Sequence, residues 1–187
     1  IDRKNNKILV RCFAGEIWNE FVEWTLANNF GGLENLILIP GTVGAAPIQN
    51  IGAYGIEVSE RIYSINALDL KNKKLVKLAA DECDFDYRNS LFKRQMLHDG
   101  WYNARYFIVS VDFTLWPDNQ SPLVTSYQNV KNEIINHPTP KKVARAIYKI
   151  RNKKFPNRES LPNLGSFFQN PIINNALASS LKIKYPE

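Results

Sequence analysis

Residues 39–55, IPGTVGAAPIQNIGAYG, constrain this chain more than any other stretch. Gly41, Gly44, Gly52 and Gly55 alternate there with Ala45, Ala46 and Ala53. Small residues let a backbone come close to a bulky ligand, and glycine permits turns that point several N–H groups at one anion. A cofactor diphosphate is such an anion. Gln49, Asn50 and Tyr54 add side-chain donors beside that backbone. The spacing is not that of the dinucleotide GxGxxG fingerprint, and no Lys-Ser or Lys-Thr follows to make a P-loop. On the residues alone two readings stay open, a tight structural turn and a cofactor cradle.

The surrounding pattern is that of an α+β chain. Residues 7–13, KILVRCF, alternate as a strand does. Ile17, Phe21, Trp24 and Asn28 are spaced by three and four, which predicts a helix over 15–29 ended by Gly31-Gly32. Residues 36–39 read as a short apolar strand. Residues 61–70 and 75–79 read as two strands joined by the polar turn 71–74, and 105–115 as a long apolar strand. Asp81 is expected to cap a short helix. Thr139-Pro140 is a helix start, with Val143, Ile147 and Ile150 on one apolar face and Pro156 as the stop. Residues 165–168 read as a further strand and 174–181 as a helix. The expected fold is a mixed, mainly antiparallel sheet with helices. A first domain over 1–152 is followed by a linker and the beginning of a second over 153–187. The chain is expected to be a fragment of a longer protein.

With 187 residues, 44% of them hydrophobic and 22% charged, the composition is that of an ordinary globular chain. No apolar run reaches membrane-spanning length, and the polar opening carries no signal peptide, so no membrane association and a cytoplasmic location are expected. Cys12 and Cys83 are too few for a disulfide framework or a zinc site, so no metal is expected. The net charge is +6, and between Lys141 and Arg158 there are eight basic residues and no acid. An anion is met there if anywhere, although most of those charges read as a solvated helix face. No nucleic-acid module accompanies them, so nucleic acid is not an expected partner. The richness in Asn, Lys and Ile points to AT-rich codons as a second source of the basic balance.

The string in residues 39–55, together with Gly32-Leu33-Glu34-Asn35-Leu36 before it, resembles the UDP-N-acetylenolpyruvoylglucosamine reductase (UDP-N-acetylmuramate dehydrogenase) family. Further pieces match in order: Ala14-Gly15-Glu16-Ile17-Trp18, Phe85-Asp86-Tyr87-Arg88-Asn89-Ser90, Ser126-Tyr127, Ile150 to Pro156, and Gly165-Ser166-Phe167-Phe168-Gln169-Asn170-Pro171. The resemblance implies an FAD-binding fold of the vanillyl-alcohol-oxidase type and the start of a C-terminal substrate domain. It implies an oxidoreductase of peptidoglycan synthesis, serving cell wall biogenesis, cell shape and cell division. NADPH would reduce FAD, and the enolpyruvyl group of a nucleotide sugar would be reduced in turn. A monomer is expected. A non-catalytic or decayed remnant of such an enzyme is the alternative.

Residue by residue, Arg88 matches the family's arginine at the substrate carboxylate, and Ser166 its proton donor. Tyr127, Lys154 and Asn170 match substrate-binding positions, and Gly41, Gly44, Gln49, Asn50, Gly52 and Tyr54 lie where FAD is held. Two pieces of the family pattern are missing: the glycine- and serine-bearing first lobe and the C-terminal region with a catalytic glutamate. Some relatives carry serines where this chain has Ala45 and Ala46.

Overall fold

The computed structural model describes residues 1–4, 6–99, 104–134, 136–154 and 168–186. They belong to two compact units, Ile1–Pro156 and Asn157–Glu187.

The first unit runs β1 (Asp2–Lys4), β2 (Lys7–Phe13), α1 (Trp18–Ala27), β3 (Phe30–Gly31), β4 (Gly52–Ala53), β5 (Ile56–Glu57), β6 (Ile62–Asp69), β7 (Lys74–Ala79), α2 (Leu91–Asp99), β8 (Tyr106–Pro117), α3 (Gln128–Glu133) and α4 (Pro140–Lys154). The main sheet has the order β1-β2-β8-β6-β7, with β3 pairing the far end of β8. Every pairing among the described residues is antiparallel. β8 is the last strand in sequence among the described residues and lies at the centre, because its apolar run can be covered by a partner on each side.

Alternation decides what each face does. Ile8, Val10 and Cys12 of β2 stand opposite Leu115, Phe113 and Val111 of β8, and Val111 stands opposite Ile65 of β6. All are buried. Trp18 and Phe21 of α1 close over that face, with ring centroids 6.0 and 5.1 Å from Phe113. The Trp18 indole N–H donates to the Leu36 carbonyl at 2.9 Å, which satisfies the polar end of a fully buried ring. On the opposite face Asp112 is 1% exposed. It accepts from Arg11 at 2.6 and 3.0 Å and from Ser64 Oγ at 2.9 Å. Burial would raise this carboxyl, but those donors and the Arg11 charge outweigh it and hold the pKa below the usual carboxylate range.

Three expectations differ. Residues 36–39 are not a strand: Glu34–Leu36 form a 3-10 turn, and Leu38 has φ +62°. The apolar side chains Leu36 and Ile37 are buried there without a strand partner. Helix α1 begins at Trp18 rather than Gly15, because Ile17 makes a bridge to Thr42 and the preceding backbone serves the loop instead. Asp81 does not cap its short helix. It lies inside the 3-10 turn Ala80–Cys83, and the Glu82 carboxylate accepts the Ala79 N–H at 2.7 Å. The Thr139-Pro140 start of α4 is as read, with Thr139 Oγ1 accepting the Lys142 N–H at 3.3 Å. Val143 and Ile147 are fully buried on its inner face.

The β6–β7 hairpin depends on one carboxylate. Asp69 accepts the backbone N–H groups of Lys71 and Asn72 at 3.0 and 3.1 Å, the Asn72 amide at 2.8 Å and the Arg105 guanidinium at 3.0 Å. The Arg105 contact, reinforced by Asn72, holds its pKa at about 2, below the ordinary 3.8. A depressed carboxylate stabilises the fold fully above its ordinary pKa and loses that contribution as the pH falls through the folded value. Stability should therefore decline between about pH 4 and pH 2. Asp69→Asn should flatten that part of an acid-unfolding curve. An unchanged acid limb would contradict the assignment.

In the second unit, α5 (Asn175–Lys184) starts where Asn174 accepts the Leu177 N–H at 2.9 Å. The expected strand over 165–168 falls largely outside the described residues, and Phe168 is exposed and not in a strand.

Candidate functional site

The small-residue stretch folds as consecutive turns over 43–50 followed by the β4–β5 hairpin. Most of its N–H groups serve the protein itself. Val43 and Gly44 donate to Glu16 and Ala14, both at 2.9 Å, and Ala45, Ala46, Ile48, Asn50 and Ile51 donate within the stretch. The loop is therefore not a ring of free donors around one anion. It offers small exposed surface, at Gly41 and Ala45 and beside Gln49.

The two close approaches within it have different purposes. A Cβ at Gly44 would lie 2.6 Å from Ala14 Cβ and 3.1 Å from Ala14 Cα, so glycine here lets the loop dock on the end of β2. A Cβ at Gly52 would lie 2.8 Å from Arg88 Nη1. Gly41 has φ +120° with open space around it, so it needs glycine for backbone conformation alone. Gly44→Ala is expected to cost about 1–3 kcal/mol, because backbone must move to admit the methyl. It should appear as a lower urea midpoint at unchanged slope. An unshifted midpoint would count against this packing.

Asn50 is buried and its amide is fully engaged. Nδ2 donates to Glu57 Oε2 at 2.7 Å and to the Asp86 carbonyl at 3.1 Å, while Oδ1 accepts the Ser59 N–H at 3.0 Å. In this arrangement its side chain holds the protein together and offers no hydrogen to a ligand. Gln49 is exposed.

Arg88 sits in a tight turn closed by reciprocal bonds between Asp86 and Asn89 at 3.1 and 3.0 Å. Its φ of +53° lies in the left-handed region, uncommon for a bulky residue. Nη2 donates to the Gly52 carbonyl at 2.8 Å, and Nη1 faces the Asn50 carbonyl and Glu57 Oε1, both at 3.4 Å. Leu38, Asn50 and Tyr54 also have positive φ. Left-handed residues gathered around one loop are the kind of backbone strain that functional sites store.

Tyr54 stands at the hairpin tip with its ring centroid 6.0 Å from that of Tyr127, edge to face. Burial pushes the Tyr54 phenol above its ordinary pKa, opposed by the charge and hydrogen bond of Arg151. The hairpin thus joins Arg88 at its base to Tyr127 at its tip. Asn35 fixes that geometry from below: its amide donates to the Tyr54 and Val124 carbonyls, both at 2.9 Å. Asn35, Glu57 and Arg151 were not among the residues singled out from sequence. Asn35 lies in a quoted motif, whereas nothing in the local pattern marks Glu57.

Lys154 is exposed in the last turn of α4, where Arg151 and Lys153 also lie. Cations there complement the helix dipole. Lys149 and Lys153 pair with Glu133 at 3.4 and 3.6 Å, so part of the basic run is structural. Asn170 is exposed in the second unit, and Ser166 lies outside the described residues. Burial pushes the Cys12 and Cys83 thiols up to about 11 and about 12, so neither is a ready nucleophile. Among the described residues no cluster of His, Cys, Asp or Glu is placed to hold a metal, and no helix is long and apolar enough to cross a membrane.

The antiparallel sheet with its helices is that of an α+β FAD-binding fold, as the comparisons with known proteins show. The model of the FAD binding domain family matches residues 1–78. Among curated proteins, the chain is 44% identical over 185 residues to the UDP-N-acetylenolpyruvoylglucosamine reductase of Dechloromonas aromatica (strain RCB), covering 95% of this chain and 52% of that protein. It is 42% identical to the enzyme of that name from Neisseria meningitidis serogroup B, covering 100% and 53%. The crystal structure of the UDP-N-acetylenolpyruvylglucosamine reductase from Thermus caldophilus superposes with a TM-score of 0.57 at 18% identity, over 87% of this chain and 48% of that one, a likeness of fold. The chain spans about half the length of the curated relatives it matches, and over that span it belongs to the UDP-N-acetylenolpyruvoylglucosamine reductase family.

Proposed function

We propose that this chain forms part of an NADPH-dependent flavoenzyme. It would reduce the enolpyruvyl group of UDP-N-acetylglucosamine enolpyruvate to UDP-N-acetylmuramate, in cytoplasmic peptidoglycan precursor synthesis. The observation that carries the reading is Arg88. Its two Nη groups are tied to the β4–β5 hairpin, while Nε–H makes no bond to the protein among the described residues. A guanidinium held this way presents one edge to a carboxylate.

The loop fits a flavin through its small exposed residues, Gly41 and Ala45, which admit a large planar group closely, with Gln49 as an exposed side-chain donor. Bound FAD, reduced by NADPH, would supply the hydride. The chain's own residues do the rest. As the double bond is reduced, negative charge grows on the substrate carboxylate and its adjacent carbon, and Arg88 stabilises it where it develops. Ser166 then delivers a proton to that carbon. A hydroxyl is a weak acid, but the enolate is a strong enough base when the two are held together. Tyr127, Lys154 and Asn170 hold the nucleotide sugar, Lys154 by charge on the diphosphate. In this reading residues 153–187 link to and begin the substrate domain, and the protein is a monomer.

The cofactor test is direct. The purified protein should show oxidised-flavin absorbance. The chain's two histidines, His98 and His137, lie outside the loop. Denaturation and filtration should therefore release the flavin as free FAD. Flavin retained on the polypeptide, or none at all, would overturn this part of the reading.

A further inference from the structure

We propose that Glu57 is a positioning residue for Arg88, and that the carboxylate, not the hairpin carbonyls alone, sets which edge of the guanidinium is presented. The proposal rests on the reading of Arg88 as the group that meets the substrate carboxylate. Glu57 divides its two oxygens: Oε2 accepts from Asn50 Nδ2 at 2.7 Å, and Oε1 faces Arg88 Nη1 at 3.4 Å. Asn50 is itself locked by the Asp86 carbonyl and the Ser59 N–H. That chain runs back to the turn carrying Arg88, since Asp86 and Asn89 close the turn. The arginine is thus gripped from both ends, its backbone by the 86–89 turn and its side chain by the 50–57 segment.

The chemistry explains why an anion is needed there. The Gly52 and Asn50 carbonyls can accept hydrogen bonds from the Nη groups, but neutral acceptors leave the guanidinium charge to find the nearest carboxylate by itself. A fixed anion behind the Nη groups orients the charge so that Nε–H faces outward. Glu57 is one-third exposed and Arg88 slightly less so. Their separation is longer than a tight ion pair, so an incoming carboxylate competes for the same cation without having to break a closed bridge. The space between them exists only because residue 52 has no Cβ: a methyl there would lie 2.8 Å from Nη1 and 3.1 Å from Glu57 Cγ.

Glu57→Gln tests this while keeping size. Both partners of the carboxylate, Asn50 Nδ2 and Arg88 Nη1, are donors, and a glutamine has one acceptor oxygen for the two. In ¹⁵N spectra of the arginine side chains, the Arg88 Nη resonances should be distinct in the native protein and should exchange faster in Glu57→Gln. Arg88→Lys identifies them by their loss. This readout needs no turnover. In the substrate half-reaction, Glu57→Gln should be slower by about tenfold to a hundredfold, with reduction by NADPH intact. Added to Arg88→Met, it should cause no further loss, because it acts only through the arginine. Glu57→Asp keeps the charge and should fall between the two. Unchanged Arg88 exchange, an equal loss in the NADPH step, or a full additional loss in the Arg88→Met background would overturn the proposal. A native protein that never oxidises its reduced flavin with the substrate overturns instead the reading of function, while the Arg88 spectra still decide whether Glu57 holds it.

Discussion

Arg88→Met is expected to slow the substrate half-reaction by about 10²–10³-fold, the loss typical when one preorganised donor to a developing anion is removed. Reduction of the flavin by NADPH should be nearly unchanged, because the proposed role of the arginine is at the substrate carboxylate and not at the nicotinamide. Two features make the effect larger than that of an ordinary surface arginine. The guanidinium is fixed before substrate arrives, by the Gly52 carbonyl at 2.8 Å and by its left-handed backbone. No reorganisation is then needed as charge develops. It is also part-buried, so its field is less screened than in bulk water. Arg88→Lys should recover little, because the three N–H groups of an ammonium radiate from one nitrogen and cannot reach the separated anchors of Nη1 and Nη2 while aiming a planar edge at a carboxylate. Stopped-flow traces of the two half-reactions check this. Equal slowing of both would show that the arginine supports the fold and not the chemistry.

Ser166→Ala should have the second large effect. If Ser166 delivers the proton, its loss should slow reoxidation of the reduced flavin by substrate about 10²–10⁴-fold, again with the NADPH step intact. The solvent isotope effect on the substrate step should also change, since the proton would then come from water. Ser166→Cys keeps a donor and should retain more activity than Ser166→Ala. A substrate step indifferent to both substitutions would remove Ser166 from the reaction.

The longer strands β2, β6, β7 and β8 were legible in the sequence, whereas the two- and three-residue strands β1, β3, β4 and β5 carry too few residues to show a period. In β2 the pattern KILVRCF alternates and places Ile8, Val10 and Cys12 inward. β6 and β8 break strict alternation, β6 where its pairing with β8 shifts register and β8 through the buried run 110–113, and are legible as apolar runs instead. Local chemistry also marked the start of α4, where Thr139 and Pro140 each satisfy a separate demand of a helix N-terminus. Residues 36–39 misled because a short apolar run is compatible with either a strand or a buried turn. Only tertiary structure shows that Leu36 and Ile37 are buried without joining the sheet.

The site was legible as a composition and not as a mechanism. The glycines marked the loop, but their separate purposes depend on Ala14 and Arg88, both distant in sequence. Asn50 looked like a donor to a ligand, whereas its partners, Glu57, Ser59 and Asp86, claim its whole amide. Glu57 itself carries no local signal, since an acid two residues after a turn is usually solvated. Its meaning comes from Arg88, 31 positions away.

The most direct test of the account is one anaerobic mixing experiment. Protein whose flavin has been reduced by NADPH is mixed with UDP-N-acetylglucosamine enolpyruvate, and the flavin absorbance is followed while the product is collected. The account predicts return of the oxidised-flavin spectrum with formation of one UDP-N-acetylmuramate per flavin. A flavin that stays reduced until oxygen is admitted, with the enolpyruvyl compound recovered unchanged, would contradict it.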